Sequence, residues 1–212
     1  MRLAVFGGTF DPPHNGHLAL CLYARELLAI DRLIISVSNN PFKQKRGAAD
    51  EHRKRMAELL SDEINRTGCC CQVSGWELEK KQPSYTVDLL RYVHELYPRD
   101  RLTLLIGEDS FREFSTWKDY RKLMYLCDIA VFRRAATEDN FPSSGSLSEN
   151  GTIEYIDFAY EVSSTEIREF VAEGQSISRL VPPEVNHYIK KHGLYRSQEL
   201  STSTQEQKRR ES

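Results

Sequence analysis

Short apolar runs alternate with longer segments of helical period along this chain. Residues 2–6 form an apolar run that stops on Gly7 and Gly8, and a helix follows from about His14 to Leu28. Residues 32–37 predict a second strand, 50–65 a second helix opened by Asp50, 69–75 a third strand, and 86–96 a third helix stopped by Pro98. Residues 102–106 predict a fourth strand bounded by Gly107, and short helical pieces then reach Met124. Residues 129–132 and 153–158 are the fifth and sixth strands. Two helices close the pattern, 164–173 ended by Gly174 and 182–192 ended by Gly193. Such starts and stops follow the usual capping and breaking preferences. Short apolar strands alternating with helices predict a parallel sheet covered by helices on both faces.

The expected fold class is therefore α/β, a Rossmann-like doubly wound parallel sheet. The chain has 212 residues, which suits one domain on a prior of about 150 residues per domain. We assign 1–195 to that domain. Residues 196–212 are polar, without an apolar face, and read as a disordered tail. The segment 136–151 is rich in Ser, Asn and acids and reads as a long surface loop.

Composition narrows the classes. Hydrophobic residues make up 40% and charged residues 28%, and the formal charge is -2. That balance argues against broad binding to nucleic acid or an acidic membrane, though not against a local basic pocket. No apolar run approaches the ~18 residues of a membrane span, and Gly7-Gly8 interrupts the first run too early for a signal peptide. Five cysteines without a Cys-x-x-Cys spacing indicate a reducing compartment, hence the cytoplasm. Cys21 and Cys127 read as small buried hydrophobes.

The first run leads directly into Gly7-Gly8-Thr9-Phe10-Asp11-Pro12-Pro13-His14-Asn15-Gly16-His17. Glycines let backbone approach a ligand closely, and prolines stiffen the turn. A helix starting near His14 turns its free N–H groups toward the turn, which favours an anion. His14 and His17 are three apart and share a helix face. A helix N-terminus disfavours a nearby cation, so both rings are expected to be neutral. Two other readings stand beside anion binding: a satisfied turn histidine, or half of a metal site with Asp11 as its local third ligand.

Downstream, Ser163-x-x-Glu166 is a capping box. Ser164 and Thr165 lie four and three positions before Arg168, so both hydroxyls fall near the guanidinium. Hydroxyls, helix N–H groups and an arginine make a second anion site, with Arg168 suited to bidentate phosphate contact. An Arg168 paired with Glu166 or Glu169 in solvent is the alternative.

Gly7-Gly8-Thr9-Phe10-Asp11-x-x-His14-x-Gly16-His17 with Ser163-Ser164-Thr165-Glu166-Ile167-Arg168 resembles the signature of the nucleotidylyltransferase superfamily. Pro83-Ser84-Tyr85-Thr86, Gly107-x-Asp109 and Trp117 make it similar to the bacterial nicotinate mononucleotide adenylyltransferases over roughly 1–195. Every candidate also follows a strand. The histidine motif follows the first, Asn40 and Lys43 the second, Ser84 and Thr86 the third, Gly107 and Asp109 the fourth, and the Ser-Ser-Thr motif the sixth. Ligands of open parallel sheets bind beyond the carboxyl ends of the strands, so all candidates share one rim.

The resemblance implies transfer of AMP from ATP to nicotinate mononucleotide, with Mg²⁺ carried mainly on the ATP phosphates rather than held by a protein metal site. His14 and His17 would hold ATP phosphates, His17 nearest the reacting centre, and Ser163, Ser164, Thr165 and Arg168 the triphosphate. Gly7, Gly8, Thr9 and Phe10 would line the ATP site, with Gly107 and Asp109 on its adenosine or ribose side. Ser84, Tyr85, Thr86 and Trp117 would form the nicotinate pocket, joined by Asn40 and Lys43. Lys43 also reads as a lone surface lysine, Asp109 as a plain helix cap and Trp117 as ordinary core. Partners are these small molecules, with no nucleic acid or membrane; a homo-oligomer is left open. Two departures mark the chain: Asn40-Pro41-Phe42-Lys43 stands where relatives often carry Asn-Pro-Pro-His-Lys, and Lys118 stands where some carry a second aromatic residue. A sister enzyme acting on another phosphate acceptor, such as phosphopantetheine, and a non-catalytic nucleotide sensor are the competing readings.

Overall fold

A computed structural model describes residues 1–39, 47–68, 70–80, 82–133, 145–148 and 151–197, with Cys70 and 145–148 described as backbone. The strands are β1 (Arg2–Gly8), β2 (Arg32–Val37), β3 (Cys70–Ser74), β4 (Arg101–Gly107), β5 (Asp128–Arg133), β6 (Gly145–Ser148) and β7 (Gly151–Asp157). The helices are α1 (Asn15–Leu27), α2 (Asp50–Asn65), α3 (Thr86–Leu96), α4 (Glu108–Arg112), α5 (Tyr120–Leu126), α6 (Ser164–Ala172) and α7 (Pro183–His192). One seven-stranded sheet runs β3-β2-β1-β4-β5-β7-β6. All neighbours are parallel except β6, which lies antiparallel to β7 with Gly145 opposite Ile153.

Period two along the strands splits the core. Ala4, Phe6, Leu33, Ile35 and Leu105 face α1 and α2, where they meet Leu20, Cys21, Ala24, Ala57 and Leu60. Leu3, Val5, Ile34, Leu104 and Ile106 face α3 and α5 and meet Val87, Leu90, Val93 and Leu123. Both faces of the central strands are thus buried, which is why those runs are apolar at consecutive positions. Each fully buried aliphatic side chain stabilises this arrangement by about 1.5–3 kcal/mol. A third cluster joins α6 and α7 to α2 through Met56, Ile167, Val185 and Ile189.

The loop expected over 136–151 is corrected at two places: 145–148 form the edge strand β6, and β7 begins at Gly151. Gly145-Ser146-Leu147-Ser148 carries no β-branched or aromatic residue, so propensity gives no strand signal there. An edge strand needs only one ladder, and β7 supplies it. Of the tail expected over 196–212, residues 198–212 lie outside the described residues, as does the remainder of the loop expected over 136–151.

The chain reverses its order across the sheet between β1 and β4, which places the crevice at the carboxyl ends of these two strands. On the opposite rim the Met1 ammonium donates to Asp100 Oδ1 at 3.1 Å. No helix among the described residues is long and apolar enough to cross a membrane.

Candidate active site

Beyond Gly8 the chain turns tightly. Phe10 sits at φ 49, in the left-handed region that non-glycine residues rarely occupy. Its ring is 1% exposed and packs 5.7 Å from Phe6 and 5.2 Å from His17. Burial of that ring offsets a backbone strain of about 1–3 kcal/mol. Phe10 is therefore a core plug that shapes the turn, and a Cβ on Gly8 would fall 3.0 Å from its edge.

His14 caps α1 in an extended conformation, and its N–H donates to His17 Nδ1 at 3.1 Å. The two imidazoles lie 3.7 Å apart. His14 Nδ1 is buried with no hydrogen-bond partner among the described residues. A Cβ on Gly16 would lie 2.9 Å from that nitrogen, so the glycine makes room for the ring. Burial pushes the His14 pKa down from 6.5 to about 4, against the pull of the Glu166 carboxylate. His14 is thus neutral near pH 7 as expected, but through desolvation more than through the helix terminus.

The two distant motifs meet here. Ser164 Oγ donates to the Pro12 carbonyl at 2.8 Å, and Arg168 Nη1 donates to the Asp11 carbonyl at 2.7 Å. Arg168 Nη2 donates to Thr165 Oγ1 at 3.1 Å, as the three-residue spacing predicts. Among the described residues, the other N–H groups of the guanidinium have no acceptor. Ser163 forms the expected capping box: its hydroxyl accepts from the Glu166 N–H, and its own N–H donates to the Glu166 carboxylate. Asp11 accepts from the Gly47 and Ala48 N–H groups at 2.6 and 3.0 Å and from the Tyr195 hydroxyl at 2.8 Å. Its carboxylate is committed to these framework donors.

Beside this cluster lies a cavity of about 360 Å³ lined by Gly7, Gly8, Ser84, Tyr85, Thr86 and Trp117, and also by Glu77 and Lys118. Tyr85 caps α3 and Thr86 is its first residue, so the first N–H groups of α3 open at this cavity. Trp117 packs 5.5 Å from Phe114 and still borders the cavity, so it is core on one side and wall on the other. Lys118 Nζ lies 4.4 Å over the Tyr85 ring and 3.3 Å from Asp88. Gly107 caps α4 and Asp109 follows in its first turn, exposed, at the end of β4; neither lines the cavity. The alternative reading of Asp109 as a plain helix cap does not hold, since Gly107 occupies that position. Asn40 and Lys43 lie outside the described residues.

Three side chains had no place in the sequence reading. Arg53 is fully buried; it donates to the carbonyls of Thr9 and Ser38 at 2.8 and 3.0 Å and pairs with Asp50 at 2.7 Å. It thereby fixes the backbone after β1 and β2 from α2. A signal existed, since Arg53 shares the buried stripe of α2 with Met56, Ala57 and Leu60. Glu77 is buried and accepts from Ser36 at 2.9 Å and Ser84 at 2.8 Å. The Ser84 proton is thus committed to Glu77, and no local pattern marks that pair. Tyr195 lies two residues beyond the α7 cap, and only folding brings it to Asp11. Cys127 is buried and its thiol is pushed up to about 12 by desolvation, so it offers no nucleophile.

Comparison with known proteins adds a family to this geometry. The cytidylyltransferase-like family matches residues 5–170. A Pelodictyon phaeoclathratiforme protein named "Probable nicotinate-nucleotide adenylyltransferase" is 61% identical over all of both chains. A Chlorobium limicola protein of the same name is 62% identical over 92% of this chain and 99% of its own. A solved Plasmodium falciparum nicotinic acid mononucleotide adenylyltransferase, complexed with NaAD, shares the fold with a TM-score of 0.71. It is 19% identical and the match covers 92% of this chain and 97% of that one.

Proposed function

The chain belongs to the cytidylyltransferase-like family and, within it, to the nicotinate-nucleotide adenylyltransferases, and from that premise we propose how its residues work. It transfers AMP from ATP to nicotinate mononucleotide in NAD biosynthesis, giving nicotinate adenine dinucleotide and pyrophosphate. The observation that carries the residue assignment is the joining of Arg168 and Ser164 to the Asp11–Pro12 backbone, beside the neighbouring rings of His14 and His17. Two anion sites far apart in sequence become one.

A phosphate oxygen of the mononucleotide attacks the α-phosphorus of ATP. The bond from that phosphorus to the bridging oxygen breaks, and pyrophosphate leaves with the electron pair. No protein nucleophile is needed, so positioning and charge stabilisation supply the rate. His17, at the open end of α1, stabilises the charge developing around the α-phosphate. His14 offers the unpartnered Nδ1 to the same phosphates. Ser164, Thr165 and Arg168, on the first turns of capped α6, hold the β- and γ-phosphates. Gly7, Gly8, Thr9 and Phe10 shape the floor by backbone, and Gly107 and Asp109 border the ribose, where Asp109 accepts from a hydroxyl. Asn40 and Lys43 serve the acceptor's phosphate.

Mg²⁺ fits this site as a companion of the nucleotide. The Asp11 carboxylate already accepts from three donors, so the phosphates supply the ion's main ligands. When bound it offsets triphosphate charge. The acceptor ring enters the cavity beside Trp117, with its carboxylate at the first N–H groups of α3. A carboxylate accepts from all of them, whereas a carboxamide presents a mismatched NH₂ costing about 1–3 kcal/mol. The reading takes 1–195 as the catalytic domain and soluble cytoplasmic molecules as its partners.

The test follows pyrophosphate release from ATP with nicotinate mononucleotide, nicotinamide mononucleotide and phosphopantetheine in parallel. We expect turnover with the acid and at least about tenfold lower kcat/KM with the amide. Equal values for acid and amide remove the pocket assignment. Turnover with phosphopantetheine alone overturns the reading.

A further inference from the structure

We infer that Tyr195 is a positioning residue for ATP, acting through Asp11 to hold Arg168 at the triphosphate. The inference rests on the reading of Arg168 given above.

The chain leaves α7 at Gly193 with φ 62 and reaches Tyr195 with φ 65. Glycine adopts that region freely; tyrosine does not. The second left-handed residue turns the phenol back onto the body of the protein. Its hydroxyl donates to Asp11 Oδ1 at 2.8 Å, and burial beside that carboxylate raises the phenol's pKa well above its ordinary value. A disfavoured backbone persists where the surroundings over-determine it, and such places cluster at functional sites.

Asp11 is the hub. It is 3% exposed, and its carboxylate survives burial by accepting three hydrogen bonds. Its carbonyl takes the Arg168 Nη1 proton. One residue therefore carries Tyr195 on its side chain and Arg168 on its backbone. Gly47 closes the triangle, since a Cβ there would lie 2.7 Å from Arg168 Cδ and 2.9 Å from the Tyr195 ring. The phenol ring and the arginine stem flank the same small residue. Removing the hydroxyl leaves Oδ1 with the Ala48 N–H alone among these donors. The Asp11 peptide then loses its fixed orientation, and the guanidinium loses its anchor. Tyr195 has no contact with the cavity beside Trp117, so acceptor binding is indifferent to it.

The experiment titrates ATP by calorimetry, without acceptor, into the full-length wild type, Tyr195→Phe, Arg168→Lys and the double variant. Tyr195→Phe should weaken ATP about fivefold or more, since a hydrogen bond to a charged group is lost. KM for nicotinate mononucleotide should stay within about twofold, and the two substitutions should combine to less than the product of their separate effects. Gly47→Ala keeps the hydroxyl but crowds the arginine stem and the Tyr195 ring together. It should reproduce the selective loss of ATP affinity, and it carries the test if Tyr195→Phe fails to fold. Unchanged ATP affinity in Tyr195→Phe, or independent losses in the double variant, overturns the inference and leaves the family reading standing. A wild type that does not bind ATP overturns both.

Discussion

His14 and His17 face each other at 3.7 Å, yet their bonding differs. His17 accepts the His14 N–H through Nδ1, while His14 Nδ1 is buried and unpartnered. His17→Ala should lower kcat at least about a hundredfold, because a donor aimed at developing charge is lost. The same change removes one cap and about 1 kcal/mol of stability, so far-UV circular dichroism should keep its shape. Near-normal turnover of a folded variant would take His17 out of the reaction. His14 gives a pH signature. Its pKa is about 4 folded against 6.5 ordinarily, so the unfolded chain binds more protons between those values. Stability is then complete above pH 6.5 and falls as the pH drops toward 4, by about 3 kcal/mol in all. Denaturant unfolding of wild type and His14→Gln across that window should show the slope in the first and a flatter line in the second. Parallel curves would assign the acid loss to other groups.

At the scale of elements, the strands and helices that bury apolar faces could be read from sequence, α2 and α3 to the residue although neither carries a side-chain cap. α2 and α3 lie where Asp50, Asn65, Thr86 and Leu96 placed them, and the Ser163–Glu166 box opens α6. β6 escaped because Gly145-Ser146-Leu147-Ser148 carries no strand propensity, even though its partner β7 follows at once, with Ser148 opposite Gly151. The site divides likewise. His14, Ser164, Thr165 and Arg168 announce themselves by helical spacing, whereas Glu77 and Tyr195 find their partners 41 and 184 residues away in sequence. Ser163→Ala tests how far the cap matters. It should cost about 1 kcal/mol and lower Tm by roughly 2–4 °C, with Ser163→Thr restoring most of it. Because α6 carries Ser164 and Arg168 to the Asp11–Pro12 backbone, ATP affinity should fall with it. A lowered Tm with unaltered ATP affinity would separate the cap from the site.

For the whole molecule, the folded unit closes where the chain after α7 returns to β1. Tyr195 reaches Asp11, and Ser197 Oγ donates to the Ala172 carbonyl at 3.3 Å. A chain ended after Ser197 should therefore keep the Tm and kcat/KM of the full chain, whereas one ended after Gly193 should lose both; thermal scans and pyrophosphate release compare them directly. Met1 and Tyr195 stand in opposite relations to the crevice. Met1 lies at the amino ends of the strands beside Asp100, whereas Asp11, the partner of Tyr195, follows β1 at their carboxyl ends. An enzyme tethered to a bead or surface through Met1 would forfeit one ion pair worth about 0–1 kcal/mol and present its open rim outward to flowing substrate. Tethered through Ser197, it would pull on Tyr195 under load.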